Sequence, residues 1–185
     1  MGGETTRKAL HAVLSLGAAA VVYALDPIAA ATVLAAATTV ALGVELVRRL
    51  SPRAARVFGR LGGLLKPGES ARITGATTLA IGLTTTAVAL PGTALFGILA
   101  AGLADPAASL VGQRVGRVRY PGGKSIAGSA AFLVVVLAVA LGLGMDPVRS
   151  IGIALLLSVI EALSLPVDDN LYLPVAGALL ASIVG

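Results

Sequence analysis

The chain has 185 residues, of which 57% are apolar and only 12% charged, with a mean hydropathy of +0.96. Soluble domains carry about 25% charged residues, so this composition excludes a water-soluble globule and a disordered tail and points to a polytopic membrane protein. The absence of cysteine excludes disulfides, thiolate metal sites and a thiol nucleophile. Six Tyr and Phe and no Trp are too few for a nucleic-acid stacking surface, despite the net charge of +5.

In chain order, apolar runs fall at 8–25, 28–47, 73–90, 92–112, 125–144, 148–165 and 171–185. Seven spans of ~20 residues occupy ~140 residues, so the whole of 1–185 is read as one integral-membrane, all-α domain. Arg7 and Lys8 precede the first run as in a signal peptide. The run leads directly into Asp26-Pro27 and six further spans, which favours an uncleaved helix. Asp26-Pro27, Pro91-Gly92 and Asp146-Pro147 read as tight turns between neighbouring spans. Two longer connections remain, 48–72 and 113–124. In the first, Leu50, Ala54, Val57, Phe58 and Leu61 stand at helical spacing among arginines. Two readings fit it: an amphipathic helix on the membrane surface, or a basic loop that sets topology or meets lipid head groups.

Charge orients the spans. The N-terminus carries two Lys/Arg, 48–72 seven and 113–124 four, which leaves only Arg149 for the other side. The positive-inside rule places the N-terminus and the loops 48–72, 113–124 and 166–170 in the cytoplasm. Spans rich in Ala and Gly predict a compact bundle and would permit a homodimer.

Ionisable residues inside a span cost roughly 2.5–3.5 kcal/mol each. Glu45, Asp105 and Glu161 are such residues, and the topology puts all three toward the cytoplasmic half, with Asp168 and Asp169 on the same side. Oxygen ligands of this kind suit Mg²⁺ bridging to substrate phosphates; an ion-pair network between helices is the other reading. Between 105 and 129, Asp105, Ser109 and Gly112 share a helix face, and Gly112 and Gly116 make a GxxxG step. Arg114, Arg117, Arg119 and Lys124 follow, then Ser125 at a helix start that offers free N–H groups to a phosphate. The stretch is not a Walker A loop, because Val118 stands where its first Gly is required.

These residues resemble a family. Asp105-x-x-Ala108-x-x-x-Gly112-x-x-x-Gly116 with Lys124-Ser125-x-x-Gly128-Ser129 is similar to the CTP-dependent lipid kinases, which include dolichol, phytol and diacylglycerol kinases and are related to phosphatidate cytidylyltransferases. Arg7-Lys8-x-x-His11, Glu69 with Ile73-Thr74-Gly75-Ala76-Thr77, and Glu161 followed by Asp168-Asp169-Asn170-Leu171 and Pro174 resemble further family segments, in order from about 7 to 175. One departure is Ala127, where the family commonly has Glu. The resemblance implies transfer of the γ-phosphate of CTP to a membrane-embedded isoprenoid alcohol, with a divalent cation, Mg²⁺. Diacylglycerol is the second choice of acceptor.

The roles implied are as follows. Lys124, Arg114 and Arg117, with Ser109, Gly112, Gly116, Ser125, Gly128 and Ser129, would hold the triphosphate, and Arg7, Lys8 and His11 would line its entrance. Asp105, Asp168 and Asp169 would hold the metal. Asp105, Glu161 and Lys124 would be catalytic, Glu161 as base or second metal ligand. Glu45, Glu69, Thr74, Thr77 and Asn170 are further candidates. Thr74 and Thr77 also read as packing residues, His11 as an interhelical hydrogen-bond partner, and Asp169 or Asn170 as a helix cap. Pro174 predicts that the last helix starts near 172–173. The rivals are a cytidylyltransferase attacking the α-phosphate and, in another class, a transporter or membrane scaffold.

Overall fold

The computed structural model describes residues 2–60, 73–163 and 165–184. Among them the chain is all-helical: α1 (Gly2–Ala24), α2 (Pro27–Leu50), α3 (Pro52–Arg60), α4 (Gly75–Ala89), α5 (Ala94–Val115), α6 (Ile126–Gly142), α7 (Pro147–Ala162) and α8 (Asp169–Val184). The seven apolar runs correspond to seven of these helices, and the amphipathic segment to the short α3.

The punctuation acts as expected. Asp26 Oδ1 accepts from the backbone N–H groups of Ile28 (3.1 Å) and Ala29 (3.0 Å), and Asp146 Oδ1 from Val148 and Arg149, both at 3.0 Å. Each Asp caps a helix whose first residue is a proline, a position where the missing N–H costs nothing. The ends differ at two places. α5 continues to Val115, so the polar connection to α6 is shorter than 113–124. α8 starts at Asp169, with Pro174 inside it rather than in its first turn. Pro174 has no N–H for the Asn170 carbonyl, and that carbonyl instead lies against Gly82 of α4, where a β carbon would strike it.

α5 is the axis of the bundle. It packs against α1, α4, α6 and α8, while α2 lies outside against α4. Close approach rests on small residues. Gly97 meets the Pro174 carbonyl and Ala178 of α8, Gly102 meets Ser15 of α1, and Gly128 of α6 meets the Ala108 carbonyl. Phe132, Val136, Ile153, Leu157 and Leu173 fill the space between α5, α6, α7 and α8, all fully buried.

Among the described residues two helices, α2 and α5, are long and apolar enough to cross a membrane. α4, α6 and α8 are apolar but have 15, 17 and 16 residues. At 1.5 Å per residue they reach roughly 23–26 Å, less than the ~30 Å hydrocarbon core.

Candidate functional site

Six polar segments converge on one end of the bundle: the start of α1, the end of α5, the 116–125 connection, the end of α7, the start of α8 and the start of α4. The connection is a tight hairpin. Tyr120 N–H donates to the Lys124 carbonyl (2.7 Å), Gly123 N–H to Tyr120 (2.9 Å) and Ile126 N–H to Val118 (3.1 Å). Gly123 has φ +84°, which glycine adopts without strain. This turn aims Lys124 back at α7 and α8. Gly112 and Gly116 leave room for Ser125, whose hydroxyl accepts from Gly128 N–H at 3.0 Å and caps α6.

Lys124 Nζ lies 2.9 Å from Glu161 Oε1 and 2.8 Å from Asp169 Oδ2, and donates to the Glu161 carbonyl at 2.6 Å. Burial pulls the Lys124 pKa down, but its hydrogen bonds and charge pairing with Asp169 and Glu161 outweigh burial and hold it above the usual lysine value. Ser129 donates to Glu161 Oε2 (3.0 Å), and Tyr172 to Asp169 Oδ1 (2.9 Å). On the other wall, Lys8 Nζ meets Asp105 Oδ2 at 2.6 Å.

Between these two ion-paired walls is a cavity of about 240 Å³. Its lining holds Ser109, Gly112, Ser125, Gly128 and Ser129 and, among charged groups, Lys8, Arg119 and Lys124 against Glu4, Asp105, Glu161 and Asp169. A second cavity of about 230 Å³ shares Lys8, Asp105 and Asp169 and adds Asp168 and Asn170.

Other candidates are placed elsewhere. Arg114 and Arg117 are exposed and line neither cavity; Arg119 takes that place. At 100° per residue, Arg114 projects from the side of α5 opposite Asp105. Gly116 packs against Ser125 and lines neither cavity. Glu45 pairs along its own helix with Arg48 and with Arg49 (2.8 Å), and both Glu45 and Arg48 are buried. The ion pairs that join different segments are instead those of Lys8 with Asp105 and of Lys124 with Glu161 and Asp169. Thr74 caps α4 and its hydroxyl meets that of Thr77 at 3.0 Å; neither lines the two ionic cavities. Arg7 and His11 line a separate small cavity beside Asn170, and Asn170 donates to the Gly75 carbonyl at 3.0 Å. Asp168 Oδ1 accepts from Asn170 N–H (3.0 Å), so the cap of α8 is Asp168, not Asp169 or Asn170. Glu69 lies outside the described residues.

Sequence reasoning passed over Tyr172, Gln113 and Glu4. Tyr172 stands three residues after Asp169, a helical spacing that becomes visible only once α8 is known to begin at 169. Gln113 donates to Ser109 (2.9 Å), four residues earlier.

No group of three or more His, Asp or Glu among the described residues is gathered to hold a metal ion. Mg²⁺ does not require such a cage, because it binds through one or two carboxylates plus substrate phosphates. The donor set fits that mode: four carboxylates face three cations across the larger cavity.

Comparison of the chain with family models, curated proteins and solved structures gives no match.

Proposed function

We propose that this chain is an integral membrane enzyme with about seven spans that transfers the γ-phosphate of CTP to a membrane-embedded isoprenoid alcohol. The observation that carries the reading is the cavity itself: a wall of lysines, an arginine and carboxylates at one end of an otherwise apolar bundle. Membrane placement is supported by an inverted surface. Ser15, Thr86 and Ser150 are buried, while Val13, Val40, Val134 and Ile183 are exposed by 61–71%. Placement of that end in the cytoplasm follows from the positive charges it carries.

Phosphoryl transfer needs neutralised charge, in-line placement of acceptor and leaving oxygen, and an acceptor for the hydroxyl proton. Lys8, Lys124 and Arg119 are the cations that would meet a triphosphate. Carboxylates outnumber them, so an anion entering alone is repelled. Mg²⁺ held by Asp105 with Asp168 or Asp169 would supply the missing positive charge. The alcohol oxygen forms the new bond to the γ-phosphorus, the bond from that phosphorus to the β–γ bridging oxygen breaks, and CDP leaves. The hydroxyl proton would pass to a carboxylate, and Glu161, which lines the cavity, is the candidate. Ser129 and Lys124 fix the Glu161 carboxylate before substrate arrives. The choice of CTP and of an isoprenoid acceptor rests on the sequence resemblance.

The test is purified protein in lipid with Mg²⁺, a prenol mixture and diacylglycerol, and CTP labelled at the γ- or the α-phosphate. Entry of γ label into prenol is the expected result. Entry of α label alone makes the protein a cytidylyltransferase, and entry of neither overturns the enzymatic reading.

A further inference from the structure

An apolar groove of about 480 Å³ runs between α1, α2 and α4, with Leu14, Leu34, Leu79 and Leu83 among its walls. Its two threonines are not free to bind a polar ligand: Thr38 Oγ1 donates to the Ala80 carbonyl (2.9 Å) and shares a hydrogen bond with Thr84 (2.8 Å). The groove does not end blindly. Leu14, Ala76 and Leu79 also wall the small cavity of about 50 Å³ that contains His11, Lys8 and Asn170. Lys8 and Asn170 in turn wall the acidic cavity beside Asp105. Three spaces therefore share walls in sequence: apolar, mixed, ionic.

One face of α1 lines the whole route. Lys8, His11, Leu14, Ala18 and Val21 recur at helical spacing, so the face changes from charge to imidazole to hydrocarbon over ~20 Å. At the waist, His11 is 92% buried, with 8% exposure, and its Nε2 has no hydrogen-bond partner among the described residues. Buried polar atoms are almost always paired, so an orphan of this kind asks for a partner from outside the protein.

We propose that the groove between α1, α2 and α4 holds the hydrocarbon chain of a single-chain lipid alcohol, and that His11 Nε2 accepts a hydrogen bond from its hydroxyl. The proposal rests on the lipid-kinase reading for the fate of that hydroxyl, but not for its binding. The occupant is a lipid alcohol because the groove supplies almost only hydrocarbon contact, while the small cavity that shares its walls offers an acceptor and borders the ionic cavity. A single chain with a primary hydroxyl suits the waist, which is far smaller than the groove. A glycerol esterified with two acyl chains is too bulky there.

The test is photo-crosslinking of a long-chain primary alcohol bearing a diazirine near its tail, without nucleotide, to protein in phosphatidylcholine nanodiscs. Adducts are mapped by mass spectrometry. Gly17 and Ala37 line the groove, and a β carbon at Gly17 meets nothing within 4 Å. Gly17→Phe and Ala37→Phe are expected to cut groove adducts at least about tenfold, the scale on which a hydrophobic pocket discriminates. Gly43→Phe, also in open space on α2 but off the groove, is the control and leaves them unchanged. The alcohol should outcompete its methyl ether on the parent protein, His11→Phe should abolish that preference, and His11→Gln should restore part of it. Adducts spread over the outer faces, or insensitivity to both groove variants, overturn the proposal. Adducts in the groove without any phosphate transfer leave the groove standing and remove the kinase reading. Transfer from γ-labelled CTP with the alcohol KM unaltered by Gly17→Phe removes the groove and keeps the kinase.

Discussion

Lys124 holds Glu161 twice, by its carboxylate at 2.9 Å and by its backbone carbonyl at 2.6 Å. The lysine thereby ties the start of α6 to the last turn of α7 through both its backbone and its side chain. Removing the ammonium leaves Glu161 and Asp169 facing each other unpaired. Lys124→Met is expected to cost about 3 kcal/mol of stability, the scale for breaking a largely buried pair, and to abolish label transfer. Thermal melts and the CTP assay check the two effects separately. Lys124→Arg should retain much of the stability but not the activity, because a planar fork cannot reproduce a three-way point contact.

The same pair gives a pH dependence. The Lys124 pKa is raised in the folded chain above its ordinary value of 10.5. A raised basic group binds its proton more tightly when folded, so its contribution is complete below the ordinary value and is lost as pH rises through the folded one. The melting temperature of the parent should therefore show no loss from this group up to about pH 10 and fall above it. Lys124→Met should show a smaller alkaline fall, measured by circular dichroism melts across pH 8–12.

Lys8 and Asp105 form the other wall at 2.6 Å. A double-mutant cycle of Lys8→Met and Asp105→Asn should give a stability coupling of about 1–3 kcal/mol, as expected for residues in contact. Asp105→Asn alone should lower phosphate transfer by at least about 100-fold, the effect expected of the proposed role of its carboxylate in holding the metal against the phosphates. Nucleotide titration and the transfer assay measure this. Unchanged transfer would reduce Asp105 to a structural partner of Lys8.

Glu45→Gln separates the structural carboxylate from those of the cavity. Glu45 pairs with arginines of its own helix end and lines neither ionic cavity. Stability should fall by about 1.5–3 kcal/mol, the scale of a hydrogen bond to a charged group, with transfer per folded molecule unchanged.

Two glycines distinguish packing from propensity. A β carbon at Gly82 would sit 2.9 Å from the Leu171 carbonyl oxygen and 3.1 Å from Leu171 Cα, all backbone that cannot swing aside. Gly82→Ala should destabilise by about 1–3 kcal/mol through overpacking. Gly43 meets nothing within 4 Å, and Gly43→Ala should stabilise by about 0.5–1 kcal/mol from helix propensity alone. Melts of the two variants side by side check the contrast.

Sequence by itself determined the all-helical class, the order of the helices and the breaks at Asp26-Pro27 and Asp146-Pro147, because apolar runs and proline turns are written in continuous stretches of chain. It also marked Glu45, Asp105 and Glu161, since charge inside an apolar run is costly and therefore conspicuous, while Lys8, Lys124 and Asp169 were marked by the sequence resemblance. Tertiary structure decided which acid meets which base. Lys124 reaches Glu161 across 37 positions and Asp169 across 45, and Lys8 reaches Asp105 across 97. Those pairings depend on how closely α1, α6 and α8 approach α5, which Gly97, Gly102 and Gly128 set by having no side chain. The pairing of Glu45 with Arg48 and the Asp168 cap of α8 are contacts over two to four residues, but the meeting of Lys124 with α7 and α8 and of Lys8 with α5 is settled by contacts between segments far apart in the chain, and no local propensity encodes it.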